Sequence, residues 1–355
     1  MSLDRYFSGR GLELLRLDQG ALVPLRFGDA CAEHRATRSA AGLYDFSFMG
    51  LYEVSGPDAR QYLERLQTRN LAHLAQDNLQ YTLLLREDAS TFNDATVWCH
   101  GPNRYWLFTG RRSDFTWLLQ QRQDEEVQLK DCSAEYAVLA LQGPRSAKIL
   151  HRQLDRPLRG LPYFSFMRTD VAGVPAWVAR LGYSGELGYE IIVPTAAGAP
   201  VWQRLLAVGA EAALCECGFE AANSLRVESG YILFSAELAV APDPFELGFS
   251  RLVNGHDFIG AEALRRKRRI EPQRKLGGII PLSSLRCAWS ALPAAQVTSE
   301  TYAPTLARTL ALGFIETEGV APGSLIRLTD GRLARSARLP FYDPGRVLPR
   351  RPPAV

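Results

Sequence analysis

The stretch LYEVSGPDARQYLERLQ, residues 51–67, predicts a β-strand, a Gly-Pro turn and an amphipathic helix in that order. The same order recurs in YAVLALQGPRSAKILHRQL, residues 136–154. In the first copy, Ser55 is placed to cap the helix, and Pro57 falls in the first turn, where a missing N–H costs nothing. Convergence on a good helix start is one explanation. Two matching copies, each with a β-rich run, favour an internal duplication.

Strands and helices alternate along the rest of this region. Short aromatic or β-branched segments predict strands at 80–85, 96–100 and 104–110. A further hairpin is predicted over 175–194, with its turn at Ser184–Gly188. Helices are predicted over 199–214 and 220–234. Sheet hairpins covered by packing helices are typical of the α+β class rather than of a doubly wound parallel sheet.

A basic run, EALRRKRRIEPQRKL at 262–276, predicts a helix end that passes into a linker. It is either a solvated surface segment or a docking site for an acidic partner protein. Beyond it, short strands at 275–282, 309–316, 324–330 and 332–344 are punctuated by Gly and Pro. This composition predicts a separate small β-barrel or sandwich of about 80 residues.

Length and charge limit the classes of function. A chain of 355 residues can form two or three compact units. The 41 Lys and Arg against 38 Asp and Glu leave a net charge of +3, which is too weak to indicate nucleic acid as a partner. No run of about 18 apolar residues predicts a membrane helix, and the N-terminus lacks a signal-peptide pattern. We therefore expect a cytoplasmic protein without a membrane partner.

Cysteine and histidine positions do not indicate a metal site. The cysteines are Cys31, Cys99, Cys132, Cys215, Cys217 and Cys287. Only Cys215 and Cys217 are close, and one intervening residue is too few for the usual zinc or redox spacing. The five histidines are equally scattered. Structural thiols and no metal are the prediction.

Two carboxylates stand in unusual settings. Asp94, in TFNDATVW, and Glu190, in LGYSGELGYEIIVP, both enter apolar strand runs. A buried carboxylate must find hydrogen-bond donors or lose much free energy of hydration, and such groups are often site residues. An outward-facing or salt-bridged acid is the structural alternative for each.

Several motifs together resemble the glycine cleavage T-protein (aminomethyltransferase) family, from about Val23 to about Pro349. They are the segment EHRATRSAAGLYDFSFMGLYEVSGPDA at 33–59, YTLLLREDASTFNDATVW at 81–98, LALQGPRSAKIL at 139–150 and LGYSGELGYEIIVP at 181–194. SLRVESGY, PFELGF, DFIGAEAL and PFYDP follow in the family's order. Each motif alone is weak, but their order and spacing are specific.

The resemblance implies a three-domain clover-leaf with tetrahydrofolate in a central channel. We expect a discontinuous folate-binding α+β domain at 1–50 and 131–260. A second α+β domain is expected at 51–130, and a C-terminal β-barrel domain at 273–355. This division agrees with the repeated strand–turn–helix pattern and with the predicted terminal barrel.

The resemblance also implies roles for individual residues. Asp94 falls on the family's essential aspartate and would be the catalytic residue, helping proton movement near the reactive folate nitrogens. Glu190 would accept hydrogen bonds from the pterin ring N–H and amine. The family's aromatic channel positions correspond to Tyr81, Trp98 and Tyr183, and a basic folate-binding position corresponds to Arg346.

Four positions depart from the family pattern. Ala222 stands where the T-protein has an arginine that contacts folate, and Phe48 stands where a histidine is usual. Asn93 replaces the first of two aspartates, and Gly110 replaces a typical asparagine. These changes bear on the one-carbon donor and on use of a lipoyl carrier. Asp94, Tyr183 and Glu190 are all present.

The sequence predicts a tetrahydrofolate-dependent one-carbon transferase, first of all an aminomethyltransferase of the T-protein kind. Its substrate would be folate, and its candidate partner the lipoyl carrier protein (H-protein). One alternative is a folate-dependent demethylase of a small methylated metabolite. Others are a non-catalytic folate-binding protein of iron–sulfur cluster maturation, and a scaffold that binds a partner but no folate.

Overall fold

The computed structural model describes residues 1–158, 160–286 and 292–353. The helices are α1 Leu3–Ser8, α2 Ala30–Ser39, α3 Ala59–Leu66, α4 Asp114–Gln120, α5 Ser146–His151, α6 Gly198–Gly209, α7 Phe219–Glu228 and α8 Ala261–Lys267. The strands are β1 Leu14–Arg16, β2 Leu22–Pro24, β3 Ala41–Asp45, β4 Gly50–Ser55, β5 Leu79–Leu85, β6 Thr91–Gly101, β7 Arg104–Thr109, β8 Gln128–Asp131, β9 Tyr136–Gln142, β10 Phe166–Val171, β11 Val174–Ala179, β12 Gly188–Pro194, β13 Leu214–Glu216, β14 Arg274–Arg286, β15 Ala294–Ala303, β16 Arg308–Glu316, β17 Leu325–Leu328 and β18 Arg332–Ala337.

Two sheets carry the two predicted acids. A five-stranded antiparallel sheet has the order β5-β6-β7-β4-β8 and holds Asp94 on β6. A six-stranded sheet has the order β10-β11-β12-β9-β3-β13 and holds Glu190 on β12. In that sheet the edge pair β3 and β13 is parallel. Hairpins joined by helices therefore make up both sheets, as the α+β prediction requires.

One apolar layer is shared by the two sheets. Trp98 and Phe108 from the five-stranded sheet lie in the same buried cluster as Phe166 and Ile192 from the six-stranded sheet. The centroids of Trp98 and Phe166 are 5.1 Å apart. We call this cluster the shared layer. Because side chains alternate along a strand, every second residue of β6 and β12 faces it.

The C-terminal strands close into a barrel with the order β14-β16-β15-β17-β18. α8 precedes it, so the basic run begins as a helix end, as predicted. Helix α7 meets the barrel through Arg226, whose Nη2 donates to Ser299 Oγ at 2.7 Å. The α+β class with a terminal barrel is confirmed.

The strand–turn–helix pattern is present in both predicted copies. Gly56 has φ +127 and Gly143 has φ +123, a backbone conformation that residues with a Cβ rarely adopt. A Cβ at Gly56 would lie 2.4 Å from Glu126 O, and one at Gly143 would lie 2.6 Å from Ala40 O. Both turns therefore need glycine, because φ is positive and because a Cβ would clash with a carbonyl oxygen.

Several local predictions were wrong. The helix predicted over 199–214 ends at Gly209, and the strand predicted over 332–344 ends at Ala337. Ser55 does not cap a helix, because it is the last residue of β4 and pairs with Arg104 on β7. The Gly-Pro turn delays α3 until Ala59, with Asp58 as its N-cap residue. The helix predicted over 220–234 ends at Glu228, because Gly230 turns the chain with φ +64.

The structure also bears on membrane-spanning helices and on the state of the cysteines. No helix among the described residues is long and apolar enough to cross a membrane. Cys31, Cys99, Cys132, Cys215 and Cys217 are free thiols. Cys287 lies outside the described residues.

Candidate active site

Asp94 lies on the face of β6 that turns toward the shared layer, the same face as Trp98. The hydroxyl of Tyr81 on β5 donates a hydrogen bond to Asp94 Oδ2 at 2.9 Å. Tyr81 is paired with Thr96 in the sheet, so its ring reaches Asp94 along the diagonal between neighbouring strands. Phe249 contacts the Tyr81 ring edge-on, with centroids 6.1 Å apart.

The Asp94 carboxyl group has an altered protonation equilibrium. Burial raises its pKa to about 6, and the hydrogen bond from Tyr81 opposes the rise. The charge of Asp114 adds to the rise in pKa, whereas Arg111 lowers it. Oδ1 of Asp94 accepts no hydrogen bond from the part of the chain that the structure describes. The group can thus exchange a proton near neutral pH and has one oxygen free for a ligand.

Glu190 lies on β12 between two alanines of the adjacent strands. Ala140 on β9 and Ala179 on β11 are its paired residues, and both belong to the shared layer. The residue is 6% exposed. Burial alone raises its pKa to about 7, since no described group donates a hydrogen bond or lies close enough to oppose the rise. A buried carboxylate without partners is costly, so this position favours a ligand that brings donors.

Tyr183 lies in the loop before β12 and is held at both its ring and its hydroxyl. The hydroxyl donates to the carbonyl oxygen of Ile232 at 2.5 Å. The ring is stacked on Tyr231, with centroids 5.9 Å apart and planes 20° apart. Burial raises the pKa of Tyr183, and the nearby charge of Asp94 adds to the rise. Tyr183 therefore lies close enough to Asp94 for the charge of Asp94 to act on it.

Arg346 reaches this site from the segment that follows the barrel. Its backbone has φ +50, and its guanidinium lies 5.1 Å above the ring of Tyr231. The positive charge of Arg346 lowers the pKa of Tyr81, although burial raises that pKa overall. The cation therefore lies near the Tyr81–Asp94 pair. It has no ion pair with a carboxylate of any described residue.

The segment around Arg346 is fixed at two further points. Arg350 lies over the ring of Tyr163 at 5.3 Å. Arg180, which is buried at the end of β11, donates to the carbonyl oxygens of Pro349 at 3.4 Å and Leu161 at 3.0 Å. The segment is thus attached to the loops that surround Tyr183 and Tyr231.

Four of the six predicted site residues lie close together. The Tyr81 hydroxyl binds Asp94, and the charges of Tyr183 and Arg346 both act on the pKa of Tyr81. Glu190 faces the shared layer from β12, and none of the other four affects its pKa. Trp98 is different, because its ring is fully buried between Phe108 and Phe166 at 4.8 and 5.1 Å. Its indole N–H donates to Thr96 Oγ1. A direct role of Trp98 in ligand binding stays a prediction.

Two of the positions that depart from the family pattern, Ala222 and Phe48, lie in the shared layer, whereas Asn93 lies on the other face of β6. Ala222 on α7 is a buried member of the layer. Phe48 contacts the rings of Phe46 and Phe219 at 5.9 and 6.0 Å. The amide of Asn93 donates to Asp114, and its oxygen accepts from the backbone N–H of Asp94 at 2.9 Å. Apolar groups thus occupy two of the positions where the family has polar ones.

Sequence reasoning missed Tyr231, Phe234 and Phe249. Tyr231 and Phe234 fell in a segment that was predicted to be helical, and Gly230 just before them was the available signal for a helix end. Phe249 has no local signal, because only the fold brings it to Tyr81. Among the described residues, no group of three or more His, Cys, Asp or Glu side chains is placed to hold a metal ion.

Comparison with known proteins places this chain in a family. The profile of the family described as "GCVT N-terminal domain" matches residues 19–256. An aminomethyltransferase of Symbiobacterium thermophilum is 35% identical over 90% of this chain and 91% of its own length. One from Geobacillus thermodenitrificans is 34% identical over 86% of this chain and 87% of its own length.

The chain belongs to the aminomethyltransferase (glycine cleavage T-protein) family. The family's fold is also present in the crystal structure of glycine cleavage system aminomethyltransferase T from Bartonella henselae. That structure superimposes with a TM-score of 0.83 over 97% of this chain and 98% of that one, at 24% identity. Membership of this enzyme family favours a transferase over the demethylase and iron–sulfur alternatives.

Proposed function

We propose that this T-protein family member transfers a one-carbon unit to tetrahydrofolate, as an aminomethyltransferase of the glycine cleavage type. The observation that carries the proposal is the pair of acids that face one layer. Asp94 has a free oxygen and a pKa of about 6, and Glu190 is buried without a donor at a pKa of about 7. A carboxyl group without donors and a second with one free oxygen, both facing the shared layer, favour a planar ligand that is rich in N–H groups.

The residues present fit the folate pterin. Glu190 needs two or more N–H donors, and its alanine neighbours leave space beside the carboxylate. The stacked rings of Tyr183 and Tyr231 offer an aromatic surface, and Arg346 above Tyr231 supplies a cation. Tetrahydrofolate, when bound, supplies the nitrogen that accepts the carbon.

The chain's own residues then have separate tasks. Glu190 orients the ligand through charge-assisted hydrogen bonds. Tyr81 holds the Asp94 carboxyl group through Oδ2, so that Oδ1 meets the substrate. Asp94 holds or releases a proton at that oxygen, and general acid–base help of this kind contributes roughly 10²–10⁴-fold in rate. Trp98 supports the layer on which these side chains stand.

The donor would be an aminomethyl group on a lipoyl carrier protein, and that partner is part of the proposal. The buried methyl group of Ala222 provides no charge at a position where the family has an arginine. We expect this to change affinity for the ligand more than the chemistry at Asp94. The domain boundaries at 1–50 with 131–260, 51–130 and 273–355 stay predictions, as does a cytosolic location.

Calorimetric titration with tetrahydrofolate tests the proposal. Wild-type protein is expected to bind, and Glu190→Gln to bind about 10-fold or more weakly, because a hydrogen bond to a charged group contributes roughly 1.5–3 kcal/mol. Asp94→Asn should retain binding and lose transfer of the carbon from a loaded lipoyl carrier. Glu87→Gln, at an exposed position, is the control. Wild-type protein without affinity for folate would end the proposal.

A further inference from the structure

Phe234 lies against the position opposite Asp94. Strands β6 and β7 are antiparallel, with Ala95 paired to Thr109. One step further, this register places Gly110 beside Asp94. A Cβ added to Gly110 would lie 2.5 Å from Phe234 Cδ1 and 3.2 Å from Cε1. The phenyl ring therefore occupies the space that a side chain at position 110 would need.

The ring is on the same face of the sheet as the Asp94 carboxylate. Residues that face each other in an antiparallel pair project their side chains to one side. Trp98 and Trp106 are such a pair, and both rings lie in the shared layer. Phe234 packs against that layer too. Its ring thus forms an apolar wall next to Asp94.

Backbone contacts hold Phe234 in this place. The carbonyl oxygen of Ile232 accepts the Tyr183 hydroxyl, and the N–H of Leu233 donates to Glu237 Oε2 at 2.9 Å. Glu237 is in turn paired with Arg226 at 2.8 Å. The segment before Phe234 is therefore fixed by buried polar groups, and the position of the ring is determined by the fold.

The polar and charged groups near Asp94 leave one side to Phe234. Tyr81 approaches from β5 and donates the hydrogen bond to Oδ2. Arg111 and Asp114 act on Asp94 from beyond the end of β7, and Tyr183 acts from the loop before β12. The charge of Arg346 acts on Tyr81 from the segment that follows the barrel. Phe234 brings no polar atom. Its contribution is to exclude water, and loss of hydration is the largest cause of the raised pKa of Asp94.

We propose that Phe234 is a positioning residue for Asp94, whose ring shields one side of the carboxylate and reserves Oδ1 for the substrate. This inference rests on the proposed function, since it assumes that Asp94 handles the proton. The ring also determines which kind of substrate group can lie against this side of the Asp94 carboxylate. A polar atom against the ring would lose its hydration without gaining a partner, so the substrate group that lies there is an apolar carbon.

The test is a titration of the Asp94 carboxyl group without folate. Protein with ¹³C-labelled aspartate carboxyl groups is followed by NMR as pH changes, and Asp94→Asn identifies the Asp94 signal. In Phe234→Ala, water reaches the carboxylate, so the midpoint should fall toward that of an exposed aspartate. Phe234→Leu keeps an apolar side chain and should retain most of the shift. Phe219→Ala removes another half-buried ring of the shared layer and should leave the midpoint unchanged.

A second variant displaces the Phe234 ring by a substitution at the end of β7. Gly110→Ala places a methyl group where Phe234 lies and should displace the ring, so the Asp94 midpoint should fall as in Phe234→Ala. Combining the two substitutions should give no further fall, because both act through one ring. Circular dichroism checks that each variant is folded. If Phe234→Ala does not fold, the Asp94 midpoint in Gly110→Ala tests the inference instead.

An unchanged Asp94 midpoint in the folded variants would overturn the inference. The acid limb of the pH–rate profile gives an independent reading, because it should move to lower pH in Phe234→Ala and stay in place in Phe219→Ala. The NMR titration needs no ligand. Failure of wild-type protein to bind folate would therefore end the proposed function and leave the result on Phe234 and Asp94 standing.

Discussion

The Tyr81 hydroxyl donates a 2.9 Å hydrogen bond to Asp94 Oδ2 across two neighbouring strands. This bond favours the ionised carboxylate and so opposes the effect of burial on the Asp94 pKa. It also leaves only the other oxygen to a ligand. The pair therefore controls both the charge and the direction of the proposed catalytic group.

Tyr81→Phe should shift the pH dependence of transfer. Without the donor, the pKa of Asp94 rises further above its present value of about 6, so the acid limb of kcat/KM moves to higher pH. Tyr105→Phe is a suitable control, because Tyr105 is buried in the same sheet and its hydroxyl donates to the carbonyl oxygen of Pro102 in the turn between β6 and β7. An acid limb that moves to lower pH, or not at all, contradicts this role for Tyr81.

Glu190→Gln should make the ligand-free protein more stable at alkaline pH. The folded-state pKa of about 7 lies above the ordinary value of 4.5, so Glu190 favours folding in its protonated form. That contribution is complete below about pH 4.5 and is lost as pH rises through about 7. The upper limit is roughly 3–4 kcal/mol, since each unit of pKa shift corresponds to about 1.4 kcal/mol.

Thermal unfolding of the Glu190→Gln variant and wild-type protein at acid and alkaline pH measures this difference. The stability of the variant relative to wild type should rise as pH increases from about 4.5 through about 7. Glu87→Gln should follow wild type throughout. An equal difference at both pH values would show that Glu190 has a partner that keeps its pKa ordinary.

Arg38→Met should destabilise the loop that carries Tyr183. Arg38 on α2 donates to the carbonyl oxygen of Ser184 and to Glu228, both at 2.8 Å, and lies 3.9 Å from the ring centre of Tyr342. Glu228 is fully buried and also pairs with His34 and the backbone N–H of Thr305. Removing Arg38, its permanently charged partner, should still cost about 3 kcal/mol of unfolding free energy.

Chemical denaturation of the Arg38→Met variant measures that cost. Arg35→Met on the same helix is the matched control. Arg35 is exposed, and its ion pair with Asp29 is long, with 3.8 Å between Nη2 and Oδ2. That pair should contribute less than about 1 kcal/mol. Similar losses in the two variants would mean that Arg38 acts only as a surface residue.

Gly185→Ala should disturb the same loop through its backbone. Gly185 has φ +79, and a Cβ there would lie 2.2 Å from Ser229 Oγ. Gly173→Ala is a matched control with φ +77 and no atom within 4 Å, so it has the conformational cost of about 1–2 kcal/mol alone. Denaturation of both variants isolates the additional cost of the contact with Ser229. Equal stabilities would show that Ser229 simply moves aside.

Local patterns in the sequence predicted much of the fold and the two acids. Gly56-Pro57 and Gly143-Pro144 mark turns whose geometry depends on neighbouring residues, and the structure has both. Asp94 stood out because it interrupts an apolar run, although an outward-facing or salt-bridged position remained an open alternative. The family resemblance supplied Tyr183 and Arg346, which no local pattern indicates.

The remainder depends on contacts between distant segments. The phenyl ring of Phe234 fills the space above Gly110, and nothing in either segment alone indicates this complementarity. Glu190 is unsatisfied because its neighbours on β9 and β11 are alanines, which only the strand order reveals. Ser55 failed as a cap because β4 continues through it to pair with Arg104.

The attachment of the Arg346 segment has a consequence for biosynthesis. Domains generally fold as they leave the ribosome, the N-terminal ones first. A nascent chain that has already paired β9 with β12 still lacks the cation above Tyr231, because Arg346 follows the whole barrel in sequence. A truncated translation product could therefore form both sheets and still be unable to assemble the region around Tyr81 and Tyr183.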